Sequence, residues 1–282
     1  MYLSGMLGLG DNFYQRAVVR ELGPLHLMTS WPQLYEDLPD VKCVKPKTHL
    51  RTQAKNAARQ ELKWHPAPNE YARRISYNGT GNMLDSMMQS VGLQRDRITF
   101  DGPPVAKTGN HPYIVVRPAT LRGEWLAAAR NPEPAYLCQA VEILKQRFDI
   151  ISVADIDGSA EYAVEPLPFA HEVYNRGELN AEELLELVGN ASGVVGGVGW
   201  LLPAAIAYKV PMLLVYGGWG HVNGPQHTLD KRMDASLVTP VYPDRFCMCN
   251  DRSHNCDKSI SNFGDKVQAF ADSLEMEDAT VS

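Results

Sequence analysis

No apolar run in the 282-residue chain approaches the roughly 20 residues that a membrane-spanning helix needs. The N-terminus lacks the basic segment, apolar stretch and small-residue cleavage site of a secretory leader. The expectation is a soluble cytoplasmic protein without a transmembrane segment. Collagen-like and disorder-prone compositions are absent too, and 44% hydrophobic residues suffice for one large domain or two ordinary ones. Neither a P-loop nor the dinucleotide fingerprint is present, which removes the two most recognisable phosphate cradles. Positive charge is in deficit overall: the net charge of −6 argues against a whole-surface affinity for nucleic acid. Cysteine is sparse and odd in number, five in all, so the thiols cannot all be paired. Cys43 and Cys138 stand in a strand-like and a helix-like segment and read as small buried hydrophobes.

What the chain does have is alternation. "MYLSGML", "PLHLMT" and "DVKCVKP" read as strands, separated by the amphipathic "NFYQRAVVREL" and the short, proline-containing "SWPQLYEDLP". "THLRTQAKNAARQEL" and "NMLDSMMQSV" follow as helices, and then a Gly- and Pro-rich stretch marks a boundary. A second series opens at "YIVVRPA" and continues through the long helix "PEPAYLCQAVEILKQRF" and the strand "DIISVADI", with "EYAVEPL" a further short strand. After these come "NAEELLELVGNA", a helix capped by Asn180, then "SGVVGGVGW", "LLPAAIAYK" and "VPMLLVYGG" as strand, helix and strand. This order predicts an α/β protein of two doubly wound, Rossmann-like domains facing a cleft, 1–108 and 109–282, with a ligand at the carboxyl ends of the strands.

The first turn, "GLGD", puts Gly8 and Gly10 between a strand and a helix with an acid, Asp11, where the helix begins. Asp11 is an N-cap on one reading and a carboxylate base at the mouth of a cleft on the other; one residue can serve as both. The order of motifs resembles the heptosyltransferase-like glycosyltransferases of the GT-B class. Five colinear pieces carry the resemblance: "GLGD", "LHLMTSWPQLYEDLPDVKCV", "SVGLQRDRITFDGPP", "YIVVRPATLRGEW" and "LNAEELLELVGNASGVVGGVGWLLPAAIAYKVPMLLVYGG". The resemblance implies transfer of a sugar from a nucleotide-activated donor, with Asp11 as the base and the first turn, Gly8, Gly10 and Asn12, at the donor. The family's Asn-Asp-Ser-Gly-Pro-Met-His turn is replaced here by Gly197, Val198, Gly199, Trp200, Leu201, Leu202 and Pro203. Its basic-loop Lys is also missing, so a heptose donor does not follow.

A departing diphosphate needs cations or N–H donors, and Arg117, Arg122 and the Gly197–Gly199 turn are the candidates. Gly217 and Gly218, in a second glycine-rich turn, are candidates for the donor side; close packing or an irregular loop explains these glycines equally well. Between Val41 and Arg74 nine cations face two acids, a local net of +7 that leaves −13 for the remainder. Within it Arg51, Lys55 and Arg59 recur at helical spacing, either as a solvated face or as the seat of an anionic acceptor such as a phosphorylated saccharide or DNA. The acceptor is otherwise a saccharide hydroxyl.

"CMCNDRSHNCDK" places Cys247, Cys249, His254 and Cys256 within ten residues, a candidate structural zinc set. Unliganded thiols and a disulfide are the alternatives. Four protein ligands would leave no open position, so no catalytic cofactor is expected. Two rival functions remain: a sugar-nucleotide epimerase or hydrolase, which would need further acids and a His from among Glu124, Asp155 and His171, and a non-catalytic sugar or nucleotide binder.

Overall fold

The computed structural model describes residues 1–77, 81–109, 111–124 and 126–281. In chain order the elements are β1 (Tyr2–Ser4), α1 (Leu9–Arg20), β2 (Leu25–Met28), β3 (Val41–Val44), α2 (Arg51–Ala57), β4 (Arg73–Arg74) and α3 (Met83–Ser90). There follow β5 (Tyr113–Val116), β6 (Thr120–Arg122), α4 (Pro134–Leu144), β7 (Asp149–Val153), β8 (Glu161–Ala163), β9 (Glu172–Tyr174), α5 (Ala181–Gly189) and β10 (Gly193–Gly196). The chain ends with α6 (Leu201–Tyr208), β11 (Met212–Val215), two short helices α7 (Gly220–Asn223) and α8 (Pro225–Thr228), β12 (Val238–Val241) and α9 (Phe263–Val281). Single 3-10 turns span Pro32–Tyr35 and Ala128–Arg130.

Two parallel sheets form, in the order β3-β2-β1-β4 and β12-β11-β10-β5-β7-β9. Each starts in the middle and is wound outward in both directions. In the first sheet the chain reverses between β1 and β4; in the second it reverses between β5 and β10. A doubly wound sheet opens a crevice at the carboxyl ends of the two strands where the order reverses. The two crevices therefore receive the residues after β1 and β4 on one side, and those after β5 and β10 on the other. This is the predicted fold class, reached through all-apolar central strands such as β5, β10 and β11, each buried along its whole length.

The halves are welded by helix packing. One continuous apolar core runs from Phe13, Val18 and Leu27 in the first half to Val188, Val194 and Ile206 in the second. At its centre α1 lies on α6: the Phe13 and Tyr208 rings meet edge to face at 6.2 Å, and the Tyr14 hydroxyl donates to the Thr228 carbonyl. Among the described residues no helix is long and apolar enough to cross a membrane.

Several local expectations are revised. The helix expected over "THLRTQAKNAARQEL" is only seven residues long, because just Gln53, Asn56 and Ala57 of it are buried and tertiary contact, not propensity, decides a helix this short. "EYAVEPL" yields β8, but it pairs antiparallel with β6 outside the main sheets. Cys43 is buried, whereas Cys138 is only half-buried, its thiol donating to the Pro166 carbonyl.

Gly10 is a point of close backbone approach between the two halves. A Cβ there would lie 2.9 Å from the Trp200 Cα, a backbone atom that cannot swing aside. Gly10→Ala should gain roughly 1 kcal/mol in helix propensity and lose about 1–3 kcal/mol to the clash. Net destabilisation by urea unfolding is expected, and an unchanged or raised midpoint would refute the packing argument.

Candidate active site in the cleft

The crevice between the sheets encloses about 340 Å³, within the range of small-ligand sites. Asp11, Tyr77, Arg117, Arg130, Val198 and Asn223 are among the residues lining it. Asp11 follows β1 and Tyr77 follows β4, while Arg117 follows β5 and Val198 follows β10, as the two winding reversals require.

Asp11 is not the helix cap. Gly8 is the N-cap of α1, and Asp11 stands third in the helix, its carboxylate accepting the Gly8 N–H. That is the return half of a capping box, with no side chain to supply the other half. Recessed in the cleft, the carboxyl is desolvated, and this pushes its pKa up from 3.8 to about 6 against the opposing pull of Arg130 and the Gly8 N–H. The Tyr77 hydroxyl donates to the same carboxylate.

Facing it are two guanidinium groups. Arg130, on the 3-10 turn after β6, donates from Nε to the Val198 carbonyl at 2.9 Å; burial first, then the charge of Arg117, pushes its pKa down to about 10. Burial likewise lowers Arg117, which donates to Thr120 Oγ1 at 3.3 Å and lies 3.8 Å from Glu161. Gly199 brings the backbone against both: a Cβ there would lie 3.0 Å from Arg117 Nη1 and 3.6 Å from Arg130 Nη2. Arg122 also lines the cleft, but its Nε is spent on Glu161 at 2.9 Å. Two desolvated cations beside a helix start suit a diphosphate.

The other sequence candidates separate into cleft and scaffold. Gly8, Gly10 and Gly199 line the crevice. Asn12 does not: it is wholly buried, its amide donating to the Met6 and Gly8 carbonyls while its Oδ1 accepts from Gln15, Thr29 and Tyr35. That leaves it no capacity for a ligand and makes it the brace of the first turn. Gly197 packs against the Pro132 ring, where a Cβ would sit at 2.9 Å. Gly217 and Gly218 pack outside the cleft, a Cβ at Gly217 falling 2.1 Å from the Asn131 carbonyl oxygen and one at Gly218 falling 2.2 Å from Cys256 Sγ. Arg130 was missed in the sequence because "LAAARNPEP" reads as the run-up to a helix.

Lys55 and Arg59 line the cleft while Arg51 does not, and all three lie beside acids. Arg51 pairs with Asp155 at 3.0 Å and Asp157 at 2.9 Å, and also donates to the Asp155 carbonyl. Thr52 donates to Asp155 at 2.8 Å; Lys55 lies 3.6 Å from the same carboxylate and donates to the Gly177 carbonyl at 2.5 Å. Helix α2 is thus clasped to the far side of the crevice. Arg59 lies 3.6 Å from Glu61. Asp155 is also unavailable as a catalytic acid, and His171 sits beside Asp149, bonded to the Ile150 N–H, and is not among the lining residues.

Cys247, Cys249, His254 and Cys256 form a compact knuckle, their ligand atoms all within 4.8 Å of one another. Cys247 Sγ and His254 Nδ1 are 3.6 Å apart, Cys249 and Cys256 sulfurs 3.6 Å, and His254 Nδ1 and Cys256 Sγ 3.3 Å. A tetrahedral ion bound at its usual distances sets neighbouring N and S ligands roughly 3.3–3.8 Å apart, so these residues fit a metal.

Two outcomes are expected. Asp11 is neutral in folded and unfolded states alike well below pH 3.8, and ionised in both above about 6, where only the folded state bears the desolvation. Asp11→Asn should therefore raise stability at pH 8, on the order of 2–3 kcal/mol by chemical denaturation, with the gain vanishing toward pH 4; equal midpoints at both pH values would refute the desolvated carboxylate. Asp155→Ala removes the shared partner of Arg51, Thr52 and Lys55. Amide exchange in α2 should accelerate, by on the order of 1 kcal/mol in opening free energy, while that in α1 stays unchanged.

No protein-family model matches the chain, and no curated protein matches it by sequence. Solved structures do match. TibC from enterotoxigenic E. coli, a bacterial iron-containing dodecameric glycosyltransferase, superposes with a TM-score of 0.65 at 17% identity, covering 98% of this chain and 76% of that one. The E. coli ADP-heptose lipopolysaccharide heptosyltransferase II gives 0.60 at 10% identity over 99% and 100% of the two chains. A glycosyl transferase of family 9 from Veillonella parvula gives 0.57 at 10% identity over 98% and 97%. The chain has the α/β fold of these glycosyltransferases.

Proposed function

We propose that this protein is a GT-B glycosyltransferase, moving a sugar from a nucleotide-activated donor to an acceptor hydroxyl. The observation that carries the reading is the opposition, within one crevice, of a desolvated carboxylate, Asp11, and two desolvated guanidinium groups, Arg117 and Arg130. Asp11, with a pKa near 6, is ionised at neutral pH yet basic enough to take the acceptor proton. The guanidiniums bind the diphosphate and stabilise the charge that develops as the sugar–phosphate bond breaks. Apolar walls at Val198, Trp200 and Leu202 limit water, the competing nucleophile.

The boundary between acceptor and donor domains is placed near residue 108, within the long connection from α3 to β5. TibC has been solved with ADP-D-β-D-heptose, which makes ADP-sugars the first donors to test. The sugar itself stays open, since Val198, Gly199 and Pro203 occupy the positions where the resemblance would place Asp, Ser and His. With Arg51 and Lys55 paired and Arg59 beside Glu61, all three candidate cations already have acidic neighbours, and a neutral saccharide hydroxyl is favoured over an anionic acceptor or DNA. The knuckle would hold a structural ion with all four positions taken by protein: zinc suits Cys3His, and TibC's iron makes ferrous iron the competitor. Closely spaced but unpaired thiols suit a reducing cytoplasm.

The test is calorimetric titration with ADP and other nucleoside diphosphates, followed by turnover of the matching nucleotide sugars. Asp11→Asn should lose about 10²-fold or more in kcat with little change in donor Kd, and the wild-type rate should rise with pH through about 6. No diphosphate binding by the folded protein would overturn the transferase reading. Binding with no turnover, unaffected by Asp11→Asn, would make it a non-catalytic binder.

A further inference from the structure

The Cys/His knuckle lies outside the cleft, yet the cleft's Arg130 is built upon it. The 3-10 turn that carries Arg130 is held by three hydrogen bonds from the knuckle and its neighbours. The Ala129 N–H donates to the Arg252 carbonyl at 3.0 Å, from the loop between Cys249 and His254. The Gly218 N–H donates to the Ala129 carbonyl at 2.6 Å, and Lys258, two residues past Cys256, donates to the Ala128 carbonyl at 3.0 Å. Ala127, Ala129, Trp219 and Cys256 form a small apolar cluster separate from the main core, so the apolar support of this turn comes from the knuckle side, alongside the hydrogen bond from Arg130 to the Val198 carbonyl.

The same knuckle holds the other wall. The Gly220 N–H donates to the Cys247 carbonyl at 2.9 Å, and Trp219 keeps a left-handed backbone, φ 58°, which a bulky residue adopts only where its surroundings enforce it. The residues that follow, Val222 and Asn223, line the cleft. Gly217 and Gly218 are glycines because the Asn131 carbonyl and Cys256 leave no room for a Cβ. They belong to this brace.

We propose that the knuckle is the positioning element for Arg130, so that metal held by Cys247, Cys249, His254 and Cys256 sets the affinity of the cleft for a nucleoside diphosphate without taking part in the chemistry. The argument rests on the reading of the cleft as a diphosphate site. A structural ion at a distance of one turn acts by fixing two otherwise weakly supported loops, and its loss frees Arg130 to leave the geometry in which its fork meets phosphate.

The experiment uses the full chain, its metal content measured, before and after chelation, with Cys249→Ser as an independent route to the metal-free form and far-UV circular dichroism to verify folding. Two readouts are taken. Amide exchange at Ala129 and Arg130 should accelerate on metal removal while that of β10 stays protected. The Kd for ADP should rise about tenfold or more, and Arg130→Ala should weaken ADP binding strongly in the loaded protein but by less than about twofold further in the metal-free protein, because both changes remove one interaction. Unchanged exchange at Ala129, equal ADP affinity of both forms, an Arg130→Ala effect as large without metal as with it, or a chain that takes up neither Zn2+ nor Fe2+ would each overturn the proposal. If the loaded protein binds no diphosphate at all, the transferase reading fails, and the exchange data alone decide whether the knuckle braces Arg130.

Discussion

The structure depends on keeping like and unlike charges desolvated together in one crevice. The charge of Arg117 lowers the proton affinity of Arg130, that of Arg122 lowers Arg117's, and both Arg117 and Arg130 are removed from water. Such a pair is unfavourable in isolation, since each guanidinium loses hydration and gains a like-charged neighbour. Glu161, itself buried, offsets the charge of Arg117 and Arg122, and Asp11 offsets that of Arg130 only partly, because its own carboxyl is held up by desolvation. The resting site therefore lacks negative charge, and a bound dianion would supply it. Strain of this kind is tolerated at functional sites because the rest of the fold over-determines the geometry. Here the over-determination is the shared core, with α1 packed on α6 through Phe13, Gly10 and Tyr208.

That core also explains how much of the fold could be read in advance. Apolar strands separated by amphipathic helices give a period that survives tertiary detail, so two doubly wound sheets follow from the pattern alone. The winding reversals at β1/β4 and β5/β10 fix where the ligand must lie, and "GLGD" falls at one of them. What the pattern did not carry were short elements supported by contact: β4 is two residues long, and α2 keeps only the turns that bury Gln53, Asn56 and Ala57.

Side-chain roles were legible where spacing is local and opaque where partners are distant. The knuckle declares itself within ten residues because its ligands are close in sequence. Arg51 and Lys55, by contrast, look like an uncompensated basic face until Asp155 and Asp157 arrive from about a hundred residues away. Asn12 looks like part of a ligand-binding turn, and only the convergence of Gln15, Thr29 and Tyr35 upon it shows that its bonding is complete. Arg122 and Arg130 exchange importance for the same reason: the acid that occupies Arg122 lies on β8, which pairs with β6 and with nothing in the main sheet.

The distribution of rigidity follows from these contacts. The floor of the crevice, with Asp11 and the β10 turn and with Asn12 bracing it from below, is continuous with the main core and should open only with the whole fold. Its two flanks are different. On one, α2 is held across the gap mainly by ion pairs and hydrogen bonds to Asp155, Asp157 and Gly177, interactions that salt screens and that trade readily with water. On the other, the turn bearing Arg130 hangs on the knuckle. On the proposed transferase reading, the site must admit a large donor, shut out water and release a diphosphate, which needs parts that open at little free-energy cost around a base that does not move. The sequence places its charged and loop segments at the flanks and its apolar ones at the floor, and the mechanical division of the site is a consequence of that placement.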